Sequence, residues 1–241
     1  MKLTADLINN SPTYINAVKD RELDLSNNNI PLIENLGVTR DLNDSINLCD
    51  NSIRILGNFP ALNRLHALYL ANNRIVTIEK DLDQFVSHLQ TLVLTNNDIA
   101  DLIDLEPIAK LEELEMLSLI NNPVMRKPNA RLWCIWRFSN TLRVLDFEKV
   151  GQKERIEAKA LFEGANGQLS DLAKSILAME SSAPASNVFV PGEGLDQVTG
   201  QSHEQEQEKT EEEIQKEQNI AELKARIREE MANVEAMEEF I

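Results

Sequence analysis

Apolar side chains recur along the first half of the chain in one fixed order, apolar-x-Leu-x-x-Asn-x-apolar. Five copies stand as Leu23-Asp-Leu25-Ser-Asn-Asn28-Asn-Ile30, Ile46-Asn-Leu48-Cys-Asp-Asn51-Ser-Ile53, Leu68-Tyr-Leu70-Ala-Asn-Asn73-Arg-Ile75, Leu92-Val-Leu94-Thr-Asn-Asn97-Asp-Ile99 and Leu117-Ser-Leu119-Ile-Asn-Asn122-Pro-Val124. The asparagines fall 23, 22, 24 and 25 residues apart. Alternation at the start of each copy predicts a short strand whose two apolar side chains share one face, with the residue between them on the other. Leu65, Leu89 and Leu114 upstream, and the closing Ile or Val downstream, supply further apolar walls. A single copy cannot bury such a surface alone, so the copies must stack.

This period and consensus define a leucine-rich repeat. The predicted fold class is an α/β solenoid: a right-handed superhelix with a concave parallel β-sheet, N- and C-terminal caps, then a linker and an acidic C-terminal helix. Successive strands should lie about 4.8 Å apart. Asn28, Asn51, Asn73, Asn97 and Asn122 are read as a structural ladder. The chain leaves each strand abruptly and strands backbone amides and carbonyls, and a buried carboxamide carries both donor and acceptor for them.

The two ends of the stack need covers. Leu3, Leu7, Ile8, Tyr14, Ile15 and Val18 form an apolar set expected to lie over the first strand. After the fifth repeat, Arg131-Leu-Trp-Cys-Ile-Trp-Arg-Phe138 has helix length, and Trp133, Trp136 and Phe138 are read as core aromatics. Leu145 and Phe147 then repeat the Leu-x-Leu spacing with Val150 in the asparagine slot, a sixth and degenerate strand. The repeat domain with its caps is placed at residues 1–162.

Charge separates this domain from the rest. Residues 1–162 carry 18 Lys and Arg against 22 Asp and Glu, whereas residues 201–241 carry 5 against 13. Gly and Pro clusters mark a flexible linker over 163–209, interrupted by a short helix around Gln168–Met179. Thr210-Glu-Glu-Glu213 is a capping box opening an acidic amphipathic helix over 210–241. Its stripe of Ile220, Leu223, Ile227, Met231, Val234, Met237 and Ile241 suits a helical partner.

The opening Met-Lys-Leu-Thr-Ala-Asp lacks a signal-peptide apolar run, and no segment approaches 18 consecutive apolar residues, so no membrane association is expected. Cys49 and Cys134 lie far apart in the repeat order, which favours a reducing compartment. His66, His88 and His203 lack partners at metal-ligand spacing, and no phosphate loop or nucleophile elbow appears. The expectation is a binding protein, not an enzyme, with no cofactor and no metal.

The binding surface follows from the alternation. Outward positions line the concave face: Asp24 and Ser26, Asn47 and Cys49, Tyr69 and Ala71, Val93 and Thr95, Met116, Ser118 and Ile120, and Asp146. Small residues around an aromatic leave room for an inserted helix roughly 10 Å across. Tyr69 is the strongest single candidate, because interface energy concentrates on aromatic anchors.

Several segments carry a more specific resemblance: Met1-Lys-Leu-Thr-Ala-Asp-Leu-Ile8, Asn16-Ala-Val-Lys-Asp-Arg-Glu-Leu-Asp-Leu25, Ile30-Pro-Leu-Ile-Glu-Asn-Leu-Gly37, Leu94-Thr-Asn-Asn97, Asn122-Pro-Val124, Arg143-Val-Leu-Asp-Phe147 and Lys153-Glu-Arg155. Across residues 1–162 the chain resembles the U2 small nuclear ribonucleoprotein A-prime family of spliceosomal leucine-rich-repeat proteins. The resemblance implies a nuclear scaffold in pre-mRNA splicing. Its concave face would hold the RNA-recognition-motif domain of a B-double-prime protein, and the pair would bind a terminal stem-loop of U2 snRNA. It also places Lys19, Arg21, Lys149, Lys153 and Arg155 near the RNA. The alternative is another intracellular repeat scaffold, of phosphatase-regulatory or acidic nuclear type, that binds a basic protein. Unaided RNA binding conflicts with the near-balanced charge of the solenoid.

Overall fold

The computed structural model describes residues 2–138, 141–163 and 167–179. The acidic helix expected over 210–241 and most of the expected linker lie outside the described residues. In chain order the strands are β1 (Thr13–Ile15), β2 (Arg21–Asp24), β3 (Ser45–Asn47), β4 (Ile55–Leu56), β5 (Ala67–Tyr69), β6 (Thr77–Ile78), β7 (Thr91–Val93), β8 (Met116–Ser118), β9 (Val144–Leu145) and β10 (Glu148–Lys149). The α-helices are α1 (Ala5–Asn10), α2 (Leu82–Phe85), α3 (Ala130–Arg137), α4 (Gln152–Phe162) and α5 (Asp171–Leu177). One sheet runs β1-β2-β3-β5-β7-β8-β9-β10, and β4 pairs with β6 in a second. Strands β2 through β9 of the large sheet pair in parallel, while β1 and β10 close its two edges antiparallel.

Register follows the repeat. Leu23, Ile46, Leu68, Leu92, Leu117 and Leu145 stand opposite one another. This column and the second one, Leu25, Leu48, Leu70, Leu94 and Leu119, are buried throughout. Ile30, Ile53, Ile75, Ile99 and Val124 close the same core.

The asparagine ladder joins each turn to the one before it. Asn97 Oδ1 accepts the Ile75 N–H at 2.9 Å, and its amide donates to the Leu70 and Leu94 carbonyls at 3.0 and 2.9 Å. Asn51, Asn73 and Asn122 make the corresponding set. Asn28 has no preceding repeat and only half-buries, its amide donating to the Ser26 carbonyl of its own turn.

A second column lies beside the ladder. Asn27, Asp50, Asn72, Asn96 and Asn121 all take left-handed backbone, with φ between 57° and 60°. Asn and Asp tolerate that region best after glycine, and it is what turns the chain sharply off the strand. Asn72 donates to Asp50 and Asn96 to Asn72, each at 2.8 Å, so the exposed side chains also link repeat to repeat.

At the N-terminal end Leu3 and Ile8 bury as expected. Tyr14, Ile15 and Val18 do not: they are 45, 66 and 69% exposed. Strand β1 adds to the sheet's edge instead of lying across its core, so its side chains stay outside the apolar interior.

At the other end Trp133 is fully buried, its ring 5.2 Å from both Trp136 and Phe162. The expected sixth Leu-x-Leu pair is not formed. Asp146 and Phe147 both turn left-handed, with φ 56° and 62°, and reverse the chain into β10, so Phe147 is exposed. The packed chain also runs past residue 162, because α5 buries Ala173 and Ile176 against the solenoid. Ser170 caps that helix, accepting the Ala173 N–H at 3.2 Å.

Arg131 ties this end together. It donates to Glu154 at 2.8 Å and to the Leu145 carbonyl at 3.1 Å. The Arg131 guanidinium and the Gly151 N–H hold the Glu154 carboxyl below its usual range. A lowered folded pKa contributes stability that is complete above the ordinary glutamate value, near 4.5, and is lost as pH falls through the folded value. Glu154→Gln is therefore expected to flatten the acid limb of a thermal-melting profile while leaving its slope above pH 6 unchanged.

Candidate protein-binding face

Opposite the leucine columns, the sheet presents three rows. Glu22, Ser45, Ala67, Thr91, Met116 and Val144 form the first, and Asp24, Asn47, Tyr69, Val93 and Ser118 the second. Asp146 comes just past the β8–β9 pairing, its carboxylate accepting the Leu119 N–H. Ser26, Cys49, Ala71, Thr95 and Ile120 continue a third row past the strands, where the Asn72 N–H reaches the Thr95 carbonyl and the Asn96 N–H that of Ile120.

Of the twelve concave-face candidates, eleven are half-buried and Ser118 is fully covered. Ser118 shares a hydrogen bond of 2.8 Å with Thr95. It is floor, not contact surface: so small a side chain lies fully covered beside larger neighbours such as its row partner Val93. Ser45 and Ala67 are floor in the same way. The result is a shallow trough, with Tyr69 standing between the small groups of Asn47 and Ala71.

The trough has an acidic end. Glu22 is only 7% exposed, and its carboxylate accepts Tyr14 Oη and Asn16 Nδ2, both at 2.9 Å. Among the described residues no Lys, Arg or His forms an ion pair with Glu22 or Asp24. Burial, then the charges of Glu22 and Asp20, raise the Tyr69 phenol above its usual range. Toward β8 the face becomes apolar through Val93, Met116 and Ile120. At its far end burial is also the main cause raising the Asp146 carboxyl, while the Leu119 N–H it accepts at 2.6 Å opposes that.

Tyr14, expected over the core at the N-terminal end, stands on this face instead. It stands directly opposite Glu22 in the β1–β2 pair, and opposed residues put their side chains on the same side. The signal was present in the alternation Thr13-Tyr-Ile15, read there as apolar content rather than as a strand.

The five basic candidates do not come together. Lys19 and Arg21 sit at one end of the sheet and Lys149 and Lys153 at the other, six strand steps or about 29 Å apart. All four are exposed. Arg155 is half-buried and donates to the Leu142 carbonyl, so it braces the cap. A cleft on the far side of the solenoid, between Ile78, Ile103, Pro107 and Met179, carries Glu106 and Arg137, which satisfy each other at 2.7 Å.

Neither thiol has the character of a nucleophile. Burial pushes Cys134 far above the usual range and raises Cys49 as well, and both are free. Among the described residues no cluster of three His, Cys, Asp or Glu could hold a metal ion, and no helix is long and apolar enough to cross a membrane.

Parallel strands stacked in this register form a leucine-rich-repeat solenoid, and a leucine-rich-repeat family profile matches residues 1–177. The U2 small nuclear ribonucleoprotein A' of Homo sapiens is 48% identical over 195 residues, spanning 81% of this chain and 73% of the human protein. Its counterpart in Schizosaccharomyces pombe is 42% identical, spanning 75% of each chain. A chain of the Drosophila melanogaster SNF/U2A' complex crystal structure superposes with a TM-score of 0.69 at 46% identity, covering 73% of this chain and 99% of that one. The chain belongs to the U2 small nuclear ribonucleoprotein A' family. That membership sets aside the phosphatase-regulatory and acidic nuclear alternatives.

Proposed function

We propose that this protein is a non-enzymatic scaffold of the nuclear U2 ribonucleoprotein in pre-mRNA splicing. Its concave face binds the RNA-recognition-motif domain of a B-double-prime protein, and through that partner the pair engages a U2 snRNA stem-loop. The observation that carries this reading is the trough around Tyr69, acidic at β2 and apolar at β8, on a chain that superposes on one from a solved two-protein complex. Charge complementarity orients the partner, with basic side chains over Glu22 and Asp24 and apolar ones over Met116 and Ile120. Net charge near balance in the solenoid leaves the RNA contact mainly to the partner.

Tyr69→Ala tests the face directly. Aromatic anchors at interface centres are worth about 2 kcal/mol, close to a 30-fold loss of affinity. Calorimetric titration with the RNA-recognition-motif domain is expected to show that loss, with Tm moving only a few degrees. Wild-type affinity in the variant contradicts a partner seated on this trough.

A further inference from the structure

Phe147 is out of place by every rule the solenoid otherwise obeys. Pairing of Leu117 with Leu145 puts it level with Leu119, at the end of the column Leu25, Leu48, Leu70, Leu94 and Leu119. Those five are fully buried, and Phe147 is 60% exposed. It is turned out by left-handed backbone, φ 62°, directly after Asp146 at 56°. Two-residue hairpins of this geometry favour Asn-Gly or Asp-Gly, and a bulky side chain at the second position is strained. Strained backbone persists only where its surroundings over-determine it.

Those surroundings are on hand. Asp146 accepts the Leu119 N–H at 2.6 Å and donates its own N–H to the Leu117 carbonyl at 2.9 Å. Arg131 donates to the Leu145 carbonyl at 3.1 Å and stands 3.6 Å from Glu148. The hairpin is thus pinned on both sides of an aromatic that does nothing for the core. An exposed aromatic on a rigid support has the properties of an interface anchor.

We infer that Phe147 is a second anchor for the protein partner, gripping it where it passes the β9 end of the concave face. The inference rests on the reading of that face given above. The occupant is the protein partner, because the hairpin that carries Phe147 extends the large sheet from β9, the strand at the end of the concave face, and a partner seated on that face reaches it. Phe147 offers such a partner an apolar contact beside the carboxylates of Asp146 and Glu148, the latter held by Arg131.

Phe147→Gly separates function from fold, since glycine adopts left-handed backbone without strain. Its Tm is expected to hold or rise by about 2–4 °C. Its affinity for the RNA-recognition-motif domain, measured by calorimetry on the full chain without RNA, is expected to fall about tenfold. Unchanged affinity in Phe147→Gly, beside a loss in Tyr69→Ala, overturns this inference and leaves the concave-face reading standing. A loss that appears only when U2 stem-loop RNA is present also overturns it, by assigning Phe147 to the RNA. Failure of the wild-type chain to bind the domain removes both.

Discussion

Replacing Asn97 by alanine is expected to lower the unfolding free energy by about 2–3 kcal/mol. The side chain is 3% exposed, and its loss orphans the buried Ile75 N–H and takes one of two amide donors from the Leu70 and Leu94 carbonyls, which keep Asn73 and Asn122. An orphaned buried polar group costs roughly 1–3 kcal/mol, and the two weakened carbonyls add to it. Urea unfolding should show a lower midpoint with an unchanged slope. Asn28→Ala is the internal control, because that asparagine is half-exposed and its amide serves one carbonyl of its own turn. Its effect should stay below about 1 kcal/mol. Equal losses at the two positions contradict the idea that these asparagines act by stitching neighbouring repeats.

Trp133→Ala should do comparable damage by a different route. The ring is fully buried in the terminal cover, edge-on to Phe162 and 5.2 Å from Trp136. Truncating a buried tryptophan removes its transfer free energy and leaves a cavity, about 3–5 kcal/mol together. The loss falls on a cover that shields the last repeat, so unfolding should begin at that end and hydrogen exchange should quicken first around Leu117 and Leu145. Trp133→Phe should be far milder. It keeps most of the apolar volume and deletes an indole N–H that has no hydrogen-bond partner among the described residues. A Phe variant as unstable as the Ala variant assigns Trp133 a polar role.

How far the sequence revealed these features depends on how periodic each one is. The five strands, both leucine columns and the ladder asparagines repeat every 22 to 25 residues, so pattern alone located them. The ladder's bonding followed from amide chemistry. The neighbouring column Asn27, Asp50, Asn72, Asn96 and Asn121 was equally periodic, yet its left-handed backbone passed unread. The second asparagine of each pair had already explained the conservation of chemistry across repeats within the chain. Where periodicity ends, the reading weakened. The two-residue strands β4 and β6 are too short to alternate; the short helix expected around 168–179 is present as α5, but its packing through Ala173, Ile176 and Leu177 follows no repeat. Phe147 misled because its spacing matched a core leucine, and spacing does not report the sign of φ.

The candidate face was legible as a set of positions and less so as a surface. Alternation put these side chains in rows on one side of the sheet, as the strand register does, but it could not tell floor from rim, and Ser118 is floor. Tyr14 was missed because an edge strand joined antiparallel brings a side chain to the face from outside the repeat. The basic residues shared a chemistry without sharing a place, and about 29 Å of sheet separates the two groups.

An electrophoretic mobility shift on the U2 terminal stem-loop is the most direct test of a protein-borne role on that RNA. It compares this chain alone, the RNA-recognition-motif domain alone, and the two together. The expected result is no shift by the chain alone, a shift by the domain, and a slower band at lower domain concentration when both are present. A chain that neither retards nor tightens the domain's complex contradicts the scaffold reading. One that shifts the RNA unaided transfers the RNA contact from the partner to the solenoid itself.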